Sequence, residues 1–146
     1  MKGYVAKSGK SFKNRVKYIL KDDHDFICSN MSADKNNVSD LTDEFKAVSS
    51  FRPDINKPSF HAFLSLPKDE KLTEEQWQEI AKDYLKEINI DIDKNQYICV
   101  RHKDTDKDHI HIVANRVGLD GSVWHGQHSA FNTIAACKRL EIKHGL

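Results

Sequence analysis

The chain has no apolar stretch near the length that crosses a bilayer, and its first five residues contain no apolar signal region. Its three cysteines are widely spaced and form no Cys-x-x-Cys pattern, which argues against a disulfide framework and favours reduced thiols. The 146 residues, with 38% hydrophobic and 31% charged content, are therefore typical of a soluble protein about one domain long.

Strong charge of one sign is also absent, because the net charge at pH 7 is only +1. The distribution of that charge is uneven: residues 1–21 contain six lysines and Arg15 but no acidic residue. Such a segregated basic segment favours phosphate binding, although a solvated lysine surface is common. The candidate phosphate contacts in this segment are Lys13, Arg15, Lys17 and Lys21.

Hydrophobic periodicity predicts an α+β fold, in which helices pack on an antiparallel central sheet. The expected helices span 11–21, 41–51, 73–88 and 129–143. The expected strands span 3–6, 26–28, 59–66, 97–102 and 109–114, with a further short strand at 122–124.

Two helices carry specific expectations. Thr73-Glu-Glu-Gln76 has the pattern of a capping box, which begins the third helix. The fourth helix offers five apolar residues for packing: Phe131, Ile134, Ala135, Leu140 and Ile142.

Histidines close to one another in the sequence provide the main functional signal. His109 and His111 alternate with isoleucines, so a strand would place both imidazoles on one face. His102 ends the preceding strand, and residues 103–108 are polar enough to form the turn of a hairpin. Closing that hairpin would bring three imidazoles within reach of one metal ion.

Acidic residues in the same hairpin have less certain roles. Asp104 is positioned to accept the N–H of a ligating imidazole, and the alternative is a carboxylate that favours the turn. Asp106 and Asp108 are interpreted as solvated loop charges, and the alternative is that one of them approaches the metal. His61 is interpreted as an ordinary strand residue rather than part of the active face.

Tyr18 is the candidate nucleophile, because it lies in the basic segment where nearby cationic charge would assist a weakly acidic phenol. The alternative is an amphipathic residue whose ring packs while its hydroxyl reaches solvent. Tyr4 is the second choice as nucleophile.

These motifs resemble the relaxase/mobilisation nuclease domain, a branch of the HUH endonucleases. The resemblance rests on the pattern His-x-Asp, then His-x-His, then Asn. It extends to the tyrosine motif Lys17-Tyr-Ile-Leu20, the strand Phe60–Pro67 and the last helix. The matching residues of the pattern are His102, Asp104, His109, His111 and Asn115.

The resemblance implies a mechanism. His102, His109 and His111 would hold a divalent cation that grips a phosphate of single-stranded DNA at a transfer origin. Tyr18 would attack that phosphate, giving a 5′-phosphotyrosine and a free 3′ hydroxyl. Asp104 would orient a ligand histidine. Asn115, Arg116 and the segment Trp124–Gly126 would lie along the DNA. The alternative role for Asn115 is hydrogen bonding at the end of the strand.

The family is associated with Mg²⁺ or Mn²⁺, whereas imidazole ligands favour Zn²⁺, Ni²⁺ or Cu²⁺, so other metals are also expected to bind. The resemblance further implies accessory mobilisation proteins as partners and a bacterial cytoplasmic location. Residues 1–146 are expected to form a single relaxase domain, either as a minimal nuclease or as the N-terminal part of a longer protein.

Three other functions stay open at this stage. Other HUH enzymes, such as rolling-circle replication initiators and transposases, also use a tyrosine. A hydrolase that activates a metal-bound water would not need Tyr18. A DNA-binding module without activity would hold a structural metal, but such sites usually have four protein ligands and the motif offers three.

Overall fold

A computed structural model describes all residues, 1–146, and confirms the predicted α+β architecture. The strands form one antiparallel sheet in the order β1-β3-β5-β4-β2. They are β1 (Lys2–Val5), β2 (His24–Ser29), β3 (Ser59–Ser65), β4 (Tyr97–His102) and β5 (His109–Asn115). The helices are α1 (Phe12–Ile19), α2 (Val38–Ser49), α3 (Glu74–Glu87) and α4 (Ser129–His144). None of the helices is long and apolar enough to cross a membrane.

Local side-chain caps explain where the helices begin. Ser11 caps α1 by accepting a hydrogen bond from the Asn14 amide, and Thr73 and Gln76 form the predicted capping box of α3. Helix α2 begins at Val38, three residues earlier than predicted, because the Asn37 side chain accepts the amide of Asp40.

The helices cover the two faces of the sheet differently. Helices α3 and α4 cover one face, called here the far face, where 21 buried residues form the main hydrophobic core. Helices α1 and α2 cover part of the other face, called here the near face, over a cluster of eight buried residues. The alternation along β3 is as predicted, with Phe60, Ala62 and Leu64 in the far-face core.

The packing prediction for α4 is largely wrong. Phe131, Ile134 and Ile142 are exposed, and the helix instead buries smaller residues. The reason is a close approach to β1, since a Cβ atom added at Gly3 would lie 2.4 Å from the Thr133 side chain. The buried residues of α4 are Thr133, Ala136, Cys137 and Leu140.

The predicted strand at 122–124 is also wrong. That segment makes only an isolated bridge between Val117 and Val123, because Gly118–Gly121 already forms a tight turn. Trp124, at its end, packs edge-on against Phe60 with ring centroids 4.9 Å apart. It is partly buried and packs against the far-face core.

Candidate metal centre and nucleophile

The β4–β5 hairpin brings the three predicted ligand histidines together. His102 lies directly opposite His109 in the register, and His111 shares a face with both. The imidazole centroid of His102 is 4.2 Å from that of His111 and 5.6 Å from that of His109. One ring nitrogen from each of the three residues lies within 4.8 Å of the others, which is close enough to hold one ion.

Hydrogen bonds to main-chain carbonyls fix two of these rings. His102 Nε2 donates to the carbonyl of Ile19 at 2.8 Å, at the end of α1. His109 Nδ1 donates to the carbonyl of Lys107 at 2.9 Å, inside the hairpin turn. A neutral imidazole has one N–H and one acceptor nitrogen, so His102 Nδ1 and His109 Nε2 are left to bind a cation.

His61 completes the arrangement, and its interpretation as an ordinary strand residue is wrong. Its Nε2 lies 2.8 Å from Nδ1 of His111, and both side chains are buried. If His111 Nδ1–H donates to His61, then His111 Nε2 is free for a cation. The sequence shows which face His61 occupies but not that β3 lies beside β5, so the contact was missed.

Burial favours the neutral form of His61, His102 and His111. It lowers the pKa of His111 to about 2, with further lowering by His102, His61 and His109. It also lowers the pKa of His61 to about 4, assisted by the charge of Arg15. The pKa of His102 is lowered as well, again mainly by burial. Neutral rings at pH 7 present lone pairs rather than positive charge to an incoming cation.

Tyr18 lies over this cluster. Its ring centroid is 5.8 Å from that of His111, 6.0 Å from His61 and 6.1 Å from His102. The side chain is 45% exposed, and Lys21 Nζ lies 4.6 Å from the ring centroid. The candidate nucleophile and the candidate ligands therefore share one solvent-accessible site.

Asp104 lies at the edge of the cluster without bonding to a ring. Its Oδ1 is 3.7 Å from Nε2 of His109, and it makes no hydrogen bond to any of the three imidazoles. Main-chain carbonyls and His61 hold the rings instead. The carboxylate thus faces the nitrogen that is left for a cation, rather than the nitrogen that orients the ring.

Asp108 is not a solvated loop charge, so that interpretation is wrong. It is 6% exposed and forms a two-point ion pair with Arg101, with the Nε–Oδ1 distance 2.7 Å. Its Oδ2 also accepts from Trp77 Nε1 and from the amide of Leu72. It therefore ties the start of β5 to α3. The sequence contains a signal for this role. Because Asp108 directly precedes His109, strand alternation points it to the other, apolar face of the sheet.

The basic residues of α1 are positioned in two ways. Lys13 and Lys17 are exposed, and so is Lys21, which lies just beyond the end of the helix. Arg15 is partly buried, donates through Nη2 to the carbonyl of Lys7, and has a buried Nη1 with no hydrogen-bond partner. Because Nη1 is buried, Arg15 is less accessible to a phosphate than the three lysines.

Three residues expected along the DNA make contacts within the fold. Asn115 is 1% exposed, and its amide bonds to the carbonyl of Phe45 and to Gln96. The Arg116 guanidinium donates to the carbonyls of Lys57, Trp124 and His125. Trp124 packs on the far face, away from the histidine cluster.

Comparison with known protein families decides the family. The model of the relaxase family, MobA/VirD2-like, nuclease domain, matches residues 18–146. The chain belongs to this family. The match begins at Tyr18 and includes the whole histidine cluster. No curated protein and no solved structure gives a significant match. Family membership implies a DNA-nicking nuclease that acts on single-stranded DNA.

Proposed function

We propose that this relaxase domain nicks one DNA strand at a plasmid or mobile-element transfer origin and holds the cut 5′ end as a phosphotyrosine. The observation that carries the proposal is the position of Tyr18. Its ring centroid lies within 6.1 Å of those of two candidate ligands, His102 and His111, and of His61. A bacterial cytoplasmic location and accessory mobilisation proteins are part of the proposal.

Exposure supports Tyr18 as the nucleophile. Only two of the four tyrosines are exposed, Tyr18 and Tyr4, while Tyr84 and Tyr97 are buried. Burial also raises the pKa of Tyr84 and of Tyr97, which disfavours their reactive phenolate forms. Tyr18 is the exposed tyrosine whose ring contacts the histidine cluster, and Lys21 adds positive charge beside it.

The donor set fits a divalent cation. His102, His109 and His111 would hold it through His102 Nδ1, His109 Nε2 and His111 Nε2, with the Asp104 carboxylate nearby. When bound, the cation would polarise the scissile phosphate and neutralise charge that develops in the transition state. We propose Mg²⁺ or Mn²⁺ for activity, and expect softer metals to bind imidazole tightly.

The chain's own residues would perform the transfer as follows. The Tyr18 oxygen forms a bond to phosphorus, and the bond from phosphorus to the 3′ oxygen breaks. The phenol loses its proton to solvent, and the departing 3′ oxygen takes one up. Because one phosphodiester replaces another, the reverse reaction can rejoin the strand.

Basic residues of α1 would bind the flanking phosphates. Lys13 and Lys17 are exposed on the helix that carries Tyr18, and Lys21 is exposed just beyond the end of that helix. Contacts of this kind supply affinity without sequence information. Asn115 and Arg116 would act indirectly, by holding the end of β5 in place.

A covalent-adduct assay tests the proposal. The protein is incubated with Mn²⁺ and a pool of 3′-labelled single-stranded oligonucleotides, because the 3′ fragment is the one that stays on the tyrosine. We expect a labelled protein band on a denaturing gel that disappears with a chelator, in Tyr18→Phe and in His111→Ala. The band should still form in Tyr4→Phe.

Three outcomes would contradict the proposal. An adduct that survives Tyr18→Phe would move the nucleophile elsewhere. Cleavage without an adduct would indicate a hydrolase that uses activated water. Binding without cleavage, with oligonucleotides from candidate transfer origins included, would indicate a DNA-binding module.

A further inference from the structure

An aromatic ladder runs across three strands of the near face. Tyr4 of β1 lies opposite Phe63 of β3, and Phe63 lies opposite His111 of β5. The rings of Tyr4 and Phe63 are stacked, with centroids 4.6 Å apart and planes at 19°. The ring of Phe63 is 5.3 Å from that of His111. The ladder therefore connects a candidate metal ligand to the edge of the sheet.

Gly3 explains why Tyr4 faces the solvent. The opposite side of β1 is pressed so closely onto α4 that a Cβ atom at Gly3 would lie 2.8 Å from Cys137 Sγ. Successive residues of a strand point to opposite faces, so Tyr4 projects away from α4. It is 48% exposed, although its ring stacks on Phe63.

A cleft of about 850 Å³, called here the aromatic cleft, lies beside this ladder and includes His109 in its wall. Its lining includes Tyr4, Phe63 and three lysines. Of these lysines, Lys68 pairs with Asp106 at 3.7 Å, whereas Lys2 and Lys107 have no ion pair. The lysines around the cleft are Lys2, Lys68 and Lys107.

We propose that the aromatic cleft binds a nucleobase of the single strand next to the scissile phosphate, by stacking on the Tyr4–Phe63 pair. This inference rests on the proposed function, because it places the substrate strand across the histidine cluster. A flat exposed aromatic face matches the face of any base, and unpaired lysines match the backbone phosphates.

Single-strand selectivity follows from this arrangement. A base within a duplex is stacked on its neighbours, so its face is not free to meet Tyr4. An unpaired strand can turn one base out onto the aromatic pair while its phosphate approaches the histidines. The same platform would accept any base, because stacking depends little on base identity.

A binding experiment without metal tests the platform separately from cleavage. Fluorescence anisotropy in EDTA compares a thymidine oligonucleotide with an abasic oligonucleotide of the same length. We expect the wild type to bind the thymidine strand more tightly, and Tyr4→Ala to lose roughly 5- to 100-fold in that preference. Tyr4→Phe should keep it, and Phe63→Leu should weaken it.

Matched controls separate stacking from charge and from folding. Phe131→Ala removes an exposed aromatic ring on α4, outside the cleft, and should leave the preference unchanged. Lys2→Ala should reduce the salt dependence of binding and keep the preference for bases. Thermal melting of each variant checks that it is folded.

A wild type that binds both strands equally would overturn the inference, as would a folded Tyr4→Ala that keeps the full preference. Neither outcome bears on the adduct at Tyr18, because no metal is present. Conversely, if the wild type formed no adduct through Tyr18 but still preferred the thymidine strand, the proposed nicking would fail while base binding in the aromatic cleft would stand. The two failures are therefore distinguishable.

Discussion

On the far face of the sheet, 21 buried residues form the main hydrophobic core with α3 and α4, whereas the hydrophobic cluster of the near face, with α1 and α2, has only eight. The rest of the near face carries polar and aromatic side chains. Strand β5 contributes to both faces, with Ile110 and Ile112 on one and His109 and His111 on the other. One strand thus serves stability and chemistry through alternate residues.

The incomplete cover of the near face explains how the histidines can be both fixed and accessible. Their ring nitrogens bond to Ile19, Lys107 and His61, which holds the rings in place. Tyr18, at 45% exposure, covers them without closing the site. Substitutions on the far face should therefore change the free energy of unfolding, whereas substitutions on the near face should change the binding of metal and DNA.

The largest effect on folding is expected on the far face, where Asp108 ties the start of β5 to α3. Asp108→Ala should lower the free energy of unfolding by about 3–5 kcal/mol, because it leaves the partly buried Arg101 without its counterion and two further donors unpaired. Urea denaturation measures the loss. The control is Asp106→Ala, which removes an exposed carboxylate in the same turn. An equal loss of unfolding free energy in that variant would contradict the structural role of Asp108.

Adjacent residues of β5 offer the sharpest comparison of the faces. Ile112→Ala should lower the free energy of unfolding by about 2–5 kcal/mol, because it opens a cavity in the far-face core. The folded variant should still bind Mn²⁺. His111→Ala should show the opposite pattern, with Mn²⁺ binding lost in calorimetric titration. If both variants lost stability and both still bound Mn²⁺, the histidines would be packing residues rather than metal ligands.

The hydrogen bond from His61 to His111 should tune metal affinity. His61→Leu keeps an apolar volume but removes the ring nitrogen, so we expect Mn²⁺ affinity to fall about 10- to 100-fold. Titration calorimetry measures this change, and His125→Ala, an exposed histidine outside the cluster, should leave the affinity as it is. Unchanged affinity in His61→Leu would show that His61 has no role in positioning His111.

The smallest effect is expected at the lysines of α1. Lys17→Ala should weaken single-strand binding by a few-fold and reduce the slope of log K against log salt by about 0.7, as expected for one lost phosphate contact. Lys138→Ala, an exposed lysine on α4, should leave the slope unchanged. If the slope did not change in Lys17→Ala, Lys17 of α1 would make no contact with the DNA phosphates.

Local sequence patterns were sufficient for much of the fold and for the three-histidine site. The alternation His109-Ile-His111 and the hairpin length placed the ligands, and Thr73 with Gln76 placed the start of α3. Both features depend on residues close in sequence, where strand geometry and capping leave few choices.

Contacts between distant segments could not be obtained in this way. His61 meets His111 only because β3 pairs with β5, and Tyr4 joins the same face only because β1 pairs with β3. Strand order is a property of the whole chain. The prediction for α4 was wrong for a related reason, since the close contact with Gly3 favours small residues over the larger ones on the other side of the helix.

Under the proposed function, three imidazoles of the near face hold one divalent cation beneath Tyr18. Anomalous diffraction from crystals soaked in Mn²⁺ would locate that cation. We predict one peak within bonding distance of His102 Nδ1, His109 Nε2 and His111 Nε2, next to the Tyr18 ring. A peak bound only by other residues, or no peak among these histidines at saturating Mn²⁺, would contradict the account.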